Sequence, residues 1–335
     1  MKINVGILRG GPSPEYETSI RSGGQALFAL DREKYRPVDL LVGRDGMIHA
    51  DGVPIQPKSL RGIVDVVLNM LHGGAGEDGT VQKILGDLEI PYTGSGSRTI
   101  LNKHLAKEEI KNMGLPAQAG VRTPFGVTFT IDKDNSDFEE FVVEKAKESF
   151  NRISPPWIIK PTLSGSSLDV FIAYDFSELL LAIKEVLMNH DHVLVEEYVR
   201  GREVTMGMIE NFRGQENYFL LPSEIYPNTD AGRVKNQYPI LDAITRRNGD
   251  YRVVQSRDLN KEKEVMQDFM IKAKDKLGLR HYFTADFIIT PFGVYLLEID
   301  ALPAIGEEAI FRKKLEAVGS NLTEFLDHIL TEAIK

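Results

Sequence analysis

The sequence predicts a mixed α/β and α+β protein, an open parallel sheet at the N-terminus followed by two α+β units. Three observations carry this expectation. Apolar strands alternate with helical segments over roughly the first 100 residues. Glycine-rich turns follow two of those strands. A hairpin from Thr284 to Asp300 sets three acids into apolar, β-branched and aromatic runs.

Residues 3–8 read as a buried strand, and Gly10-Gly11-Pro12-Ser13 turns into a helix with Ser13 as N-cap and Pro14 at the first helical position. Strands at about 37–42 and at 64–71 complete a β-α-β pattern, which implies a parallel sheet. Ligands of such sheets bind beyond the carboxyl ends of the strands. The turns Gly10-Gly11 and His72-Gly73-Gly74-Ala75-Gly76 stand at those ends. A helix is expected from about Thr99 to Met113, stopped by Gly114-Leu115-Pro116. Helix 137–149, strand 157–160, strand 169–173, helix 176–189 and strand 193–197 then form a small α+β unit. Residues 203–225 read as strands. Residues 226–256 are polar without a clear period, as in a functional loop or lid. A helix at 260–277, the acidic hairpin and a C-terminal helix close the chain.

With 335 residues the chain is long for a single core and should divide into two or three domains. A net charge of -9 without a basic tract argues against a nucleic-acid surface. The absence of cysteine excludes disulfides, thiolate metal sites and cysteine nucleophiles. No apolar run approaches the ~20 residues that span a bilayer, and the first residues lack a signal peptide's apolar stretch. A soluble cytoplasmic protein with small-molecule partners, and neither nucleic acid nor membrane among them, is expected.

The hairpin is the most specific chemical signal. Folding about Phe292 sets Asp286 opposite Glu298 and Thr284 opposite Asp300, and the strand period puts Glu298 and Asp300 on one face. Like charges opposite one another destabilise a sheet, so a cation belongs between them. Hard oxygen donors suit Mg²⁺ completed by water and phosphate oxygens; a solvated acidic face is the alternative. Lys160 ends the strand Trp157-Ile-Ile-Lys160, and the loop Ser164-Gly165-Ser166-Ser167 that follows can wrap phosphate oxygens, although such a lysine is often only surface. Glu196-Glu197-Tyr198-Val199, with Glu203 beyond, reads as a connector able to meet adenine and a ribose. His72 is either structural or functional. Glu15 either complements a helix dipole or binds a ligand.

In order along the chain stand Gly10-Gly11-Pro-Ser13-Pro-Glu15, Leu71-His72-Gly73-Gly-Ala-Gly76-Glu77, Pro91-Tyr92-Thr93-Gly94-Ser95-Gly96, Ile159-Lys160-Pro161 with Gly165-Ser166-Ser167, and Leu297-Glu298-Ile-Asp300. Over nearly its whole length the chain resembles the D-alanine–D-alanine ligases of the ATP-grasp superfamily. The resemblance implies a pre-ATP-grasp domain at 1–101, a central ATP-grasp lobe at 102–195 and a C-terminal lobe at 196–335 with the lid at 226–256. ATP would lie between the two lobes. It implies ATP-dependent, ADP-forming ligation of two D-alanines through an acylphosphate, as in peptidoglycan biosynthesis, by a homodimer. Mg²⁺ (Mn²⁺ as a substitute) would bridge the phosphates. By that resemblance Lys103 and Lys160 hold phosphates, and Glu196, Glu197, Tyr198 and Val199 meet adenine. Glu203 takes the ribose, and Ser166 and Ser167 belong to the loop over the phosphates. Asp286, Glu298 and Asp300 are metal ligands, and Glu15 binds the first amino acid's ammonium. His72 lies beside that substrate's carboxylate, and Lys235 and Tyr238 belong to the lid.

Thr284 stands where the family has arginine, Asp300 where it has asparagine, and Ala301-Leu302-Pro303-Ala304-Ile305 replaces a Thr-Ser-Pro-Gly-Met-type segment. Two alternatives are kept: a ligase of the same mechanism with another acceptor amino or hydroxy acid, and a nucleotide-binding protein that has lost ligation.

Overall fold

The first sheet is organised around a strand buried from Val5 to Leu8 and paired on both sides. In the computed structural model, which describes residues 2–112, 114, 120–134, 137–163, 169–227 and 251–335, β1 (Ile3–Gly10) pairs in parallel with β2 (Tyr35–Val42) and β5 (Val66–Asn69). The expected β-α-β pattern is therefore present. A short antiparallel hairpin, β3 (Ile48–Ala50) and β4 (Val53–Ile55), extends the β2 edge and was not anticipated. Strand β5 ends at Asn69, earlier than expected, because the Asn69 side chain takes over the pairing. It accepts from Leu71 N at 3.1 Å and donates to Gly76 O at 2.9 Å.

Helix α1 (Tyr16–Ala29) starts later than the Ser13 cap predicts, with Glu15 at its N-cap position. The Ser13 hydroxyl is used differently: it donates to His72 O at 2.6 Å and accepts from Glu15 N at 3.1 Å. It thus ties the turn after β1 to the turn after β5. Helix α2 (Thr80–Asp87) follows the second turn. The single helix expected at 99–113 is broken into α3 (Arg98–Leu101) and α4 (Lys103–Asn112). Asn102 is extended there and caps α4, accepting from His104 N at 3.1 Å and Leu105 N at 3.0 Å. The break leaves Lys103 at the start of α4, with its N–H on Thr162 O at 3.0 Å. Met113, Leu115 and Pro116 lie outside the described residues.

Four antiparallel strands in the order β7 (Gly126–Thr130), β10 (His192–Glu197), β8 (Trp157–Pro161), β9 (Phe171–Ala173) form the middle sheet. Helices α5 (Phe138–Arg152) and α6 (Phe176–Asn189) share an apolar core with it around Trp157, Val142 and Ile183. Asp137 and Asp175 cap them, accepting from Glu140 N and Glu178 N.

The remaining sheet has seven strands. Its path runs β14 (Tyr251–Gln255), β13 (Ser223–Pro227), β11 (Arg202–Glu210), β15 (Tyr282–Thr290), β16 (Gly293–Asp300), β6 (Val121–Arg122), with β12 (Asn217–Phe219) on β11. Both ends of the expected lid belong to this sheet, since Tyr226 pairs with Arg252 and Pro227 with Tyr251. Residues 251–255 are thus strand rather than loop, an alternation too short to read within a polar stretch. Helix α7 (Lys261–Leu277) packs Met266, Phe269, Met270 and Ala273 against one sheet face. Helices α8 (Ile310–Ala317) and α9 (Leu322–Ile334) serve the other core. There Phe311, Phe325 and Leu330 pack with Val5, Val66 and Leu68 of the N-terminal sheet. The last helix is consequently part of the core beneath the first strands.

That junction contains two buried histidines. His281, at φ 67, accepts from Gly94 N through Nδ1 at 2.9 Å, and His72 Nε2 lies 2.9 Å from Ser22 Oγ. Burial lowers both rings from the usual 6.5 to about 4. Folded, the rings stay neutral; unfolded, they protonate, so unfolding takes up protons as the solution is acidified. Stability should hold above pH ~6.5 and fall towards pH ~4, by roughly 1.4 kcal/mol per pH unit for each ring. Urea midpoints followed against pH test this, and His281→Gln should flatten the profile. An identical acid slope in that variant would remove His281 from the account.

Candidate active site

A cavity of about 630 Å³ opens where α1, the turn after β5, α4 and the acidic hairpin meet. Glu15, His72, Lys103, Asp286, Glu298 and Asp300 all line it. Each is placed by a different local device. Glu15 sits at the N-cap of α1. Its carboxylate lies against Gly73, where a side-chain methyl would stand 2.8 Å from Oε1 and φ is +69. Glycine is required here by contact as well as by conformation.

The hairpin pairs Asp286 with Glu298 and Thr284 with Asp300, the expected register, but for a reason the sequence pattern did not contain. The turn pairs Thr290 with Gly293, so the hairpin folds between Pro291 and Phe292. A register shift between Asp286 and Phe287, with Leu297 as the additional residue, then restores the alignment. The bulge also resets the faces. Val294 and Leu296 before it, and Ile299 and Ala301 after it, share one core, which leaves Glu298 and Asp300 on the opposite side.

Acidic charge accumulates in this cavity. Burial, with the charges of Glu298, Glu15 and Asp286, pushes the Asp300 carboxyl up to about 7 despite a hydrogen bond from Leu302 N at 2.9 Å. Burial and the nearness of Asp300 and Glu15 push Glu77 well above the carboxylate range, although Gly73 N donates to it at 2.7 Å. Lys103 is the near counter-charge, 3.0 Å from Glu298 Oε2. Burial alone would lower its pKa, and the attraction of Glu298, Glu15 and Glu77 more than reverses that.

Of the other sequence-named residues, those the structure describes do not line the cavity. Lys160 and Glu196 lie on adjacent strands of the middle sheet, joined at 2.8 Å, and Glu196 also accepts from Lys107. Burial disfavours the Glu196 charge, but the two lysines hold its carboxyl down at about 2. Glu196 and Glu197 are strand residues rather than part of the connector. Glu197 accepts from Phe125 N at 2.9 Å. Tyr198 and Val199 lie in the connector between β10 and β11, where Tyr198 N donates to Pro156 O at 3.0 Å. Glu203 is half-buried on β11. Ser166, Ser167, Lys235 and Tyr238 lie outside the described residues.

Among the described residues no three acid or histidine side chains are gathered into a ready-made metal site. The donor set nevertheless suits Mg²⁺, which takes one or two carboxylates and completes its shell with water and phosphate. Burial first, and then the neighbouring carboxylates, raise the Asp300 and Glu77 carboxyls, so a cation placed among them would favour their charged forms.

A family profile described as D-ala D-ala ligase C-terminus matches residues 115–331, and one described as D-ala D-ala ligase N-terminus matches 48–95. The chain belongs to the D-alanine–D-alanine ligase family. Relatives named D-alanine–D-alanine ligase include one from Leptospira biflexa, 27% identical with 98% of each chain covered. Another, from Desulforamulus reducens, is 29% identical with 100% of each covered. The fold is also that of the Bacillus anthracis D-alanine–D-alanine ligase complexed with ATP, with a TM-score of 0.72 at 23% identity, over 100% of this chain and 97% of that one. The three-sheet architecture is therefore the ATP-grasp arrangement. Among the described residues no helix is long and apolar enough to cross a membrane.

Within this ligase framework, three residues lining the cavity, and a buried lysine bonded to the backbone of cavity-lining Thr205, escaped sequence reasoning. Glu77 was visible only as a loop acid. Lys107 lies one turn beyond Lys103 on α4, a spacing that was available as a signal. Arg21 of α1 brings a guanidinium to the cavity that Thr284 also lines. Lys314 of α8 is fully buried and donates to Thr205 O and Leu221 O, both at 2.7 Å, and to Ser223 Oγ at 3.0 Å. Burial brings its pKa down to about 7, against the pull of Asp286. A lysine inside an amphipathic helix carries no such information in its own sequence.

Proposed function

We propose that the chain is an ATP-dependent, ADP-forming ligase that joins two D-alanines. The observation that carries this reading is the convergence of Glu15, His72, Lys103, Asp286, Glu298 and Asp300, from four separate stretches of chain, on one cavity. A carboxylate oxygen of the first D-alanine attacks the terminal phosphorus of ATP, the bond to ADP breaks, and an acylphosphate forms. The amine of the second then attacks the acyl carbon, phosphate departs with the C–O electron pair, and the nitrogen loses a proton.

Glu15 takes the ammonium of the first D-alanine by a charge-assisted hydrogen bond. Neutral His72, fixed by Ser22, borders that amino acid without adding charge. Lys103 and Lys160 take phosphate oxygens, and Tyr198, Val199 and Glu203 meet the nucleoside. Asp286, Glu298 and Asp300 hold Mg²⁺, which supplies charge neutralisation of the phosphates. Serines 166 and 167 and Tyr238 keep the covering roles that the family resemblance gives them. The same reading makes the protein a cytoplasmic homodimer in peptidoglycan precursor synthesis.

Release of ADP from Mg²⁺·ATP with and without D-alanine, with the product identified by mass, is the test. D-alanyl-D-alanine supports the reading. ADP release without dipeptide assigns a different acceptor, and ATP binding without stimulated release removes ligase activity.

A further inference from the structure

Helix α4 carries two lysines that reach two different sheets. Lys103 and Lys107 are one turn apart and share a face. The first meets Glu298 of the seven-stranded sheet, and the second meets Glu196 of the middle sheet. The N–H of Lys103 is itself bound to Thr162 O, immediately beyond β8, which carries Lys160. Glu196 divides its two oxygens, Oε1 to Lys107 and Oε2 to Lys160. Their side chains are only 4%, 3% and 10% exposed for Lys107, Glu196 and Lys160.

This arrangement has a consequence for Lys160. Were Glu196 its sole partner, the two would form a closed neutral pair. Moving the ammonium to a phosphate would then strand a buried carboxylate, a strongly unfavourable state. With Lys107 on the other oxygen, the carboxylate stays compensated when Lys160 departs, and the triad carries one surplus positive charge. Lys107 itself lines the cavity, so the compensating charge lies beside the site rather than behind it.

We propose that Lys107 is a positioning residue for nucleotide binding: it holds the Glu196 carboxylate so that Lys160 is free to engage a phosphate. The inference rests on the reading of the site as an ATP site. Lys107 acts through Glu196 and Lys160 and need not touch the nucleotide.

The experiment is calorimetric titration of the full-length protein with Mg²⁺ and a non-hydrolysable ATP analogue, together with the KM for D-alanine. Lys107→Met should weaken nucleotide binding by about tenfold or more while leaving the D-alanine KM within about twofold. Lys107→Arg keeps the charge and should bind within about threefold of the parent, which separates the electrostatic role from a folding defect. The deciding variant is Lys107→Met with Glu196→Gln. Removing the stranded carboxylate should restore most of the lost affinity, a non-additivity that a merely structural lysine would not show. Unchanged binding in Lys107→Met, or a double variant no better than the single one, overturns the proposal. Failure of the parent protein to bind the analogue overturns the ATP-site reading along with it.

Discussion

Glu298→Gln should reduce turnover with Mg²⁺·ATP by about a hundredfold and move the Mg²⁺ dependence to higher concentration. The substitution keeps shape and removes one charge. That charge lies opposite Asp286 on the hairpin and 3.0 Å from the Lys103 ammonium. Two functions therefore go together on the proposed reading: a carboxylate assigned to the metal is lost, and Lys103 loses the charge of one of its partners. Lys103→Met separates them, because it removes the cation proposed to take a phosphate while leaving all three hairpin acids. It should raise the KM for ATP with a smaller change in Mg²⁺ dependence. Steady-state rates over a matrix of ATP and Mg²⁺ concentrations distinguish the two variants. Turnover in Glu298→Gln matching the parent at every Mg²⁺ concentration would remove Glu298 from the metal site.

The second large effect is expected at Glu15. Glu15→Ala removes the carboxylate that the proposed reading sets against the first amino acid's ammonium, a charge-assisted contact of roughly 1.5–3 kcal/mol. The KM for the first D-alanine should rise by about tenfold to a hundredfold, with nucleotide affinity unchanged. Gly73→Ala offers an independent route to the same defect. Its new methyl would lie 2.8 Å from Glu15 Oε1, at a φ of +69 that alanine rarely adopts, so the carboxylate must move. A shared kinetic signature in the two variants would assign the effect to Glu15 itself. Equal loss of ATP affinity in Glu15→Ala would instead make it a structural residue of the turn, which Ser13 already links to His72.

The hairpin shows how far local pattern reaches. Folding the apolar runs about Phe292 aligned Asp286 with Glu298, and that alignment is observed, although the actual turn reaches it only through an added residue. Yet a strict alternation from Val294 would have sent Glu298 into the core with Leu296. The bulge at Leu297 prevents this, and nothing in the residue types announces it, because an extra residue is chosen by packing on both faces at once. The break at Asn102 is similar. Periodicity ran through it, whereas a bond from the next N–H to Thr162 and capping by the Asn102 side chain end one helix and begin another.

By itself, the amino-acid sequence determined the parallel first sheet, the positions of most later strands and helices, the acidic hairpin and the family. All of these rest on short-range periodicity and ordered motifs. Tertiary structure alone decided which charges meet. Lys107 finds Glu196 across 89 residues of chain, and Gly94 finds His281 across 187. Lys314 reaches Thr205 across 109. Desolvation and ion pairing depend on distances in space, so the pKa shifts in and beside this cavity first exist when the chain has folded around it.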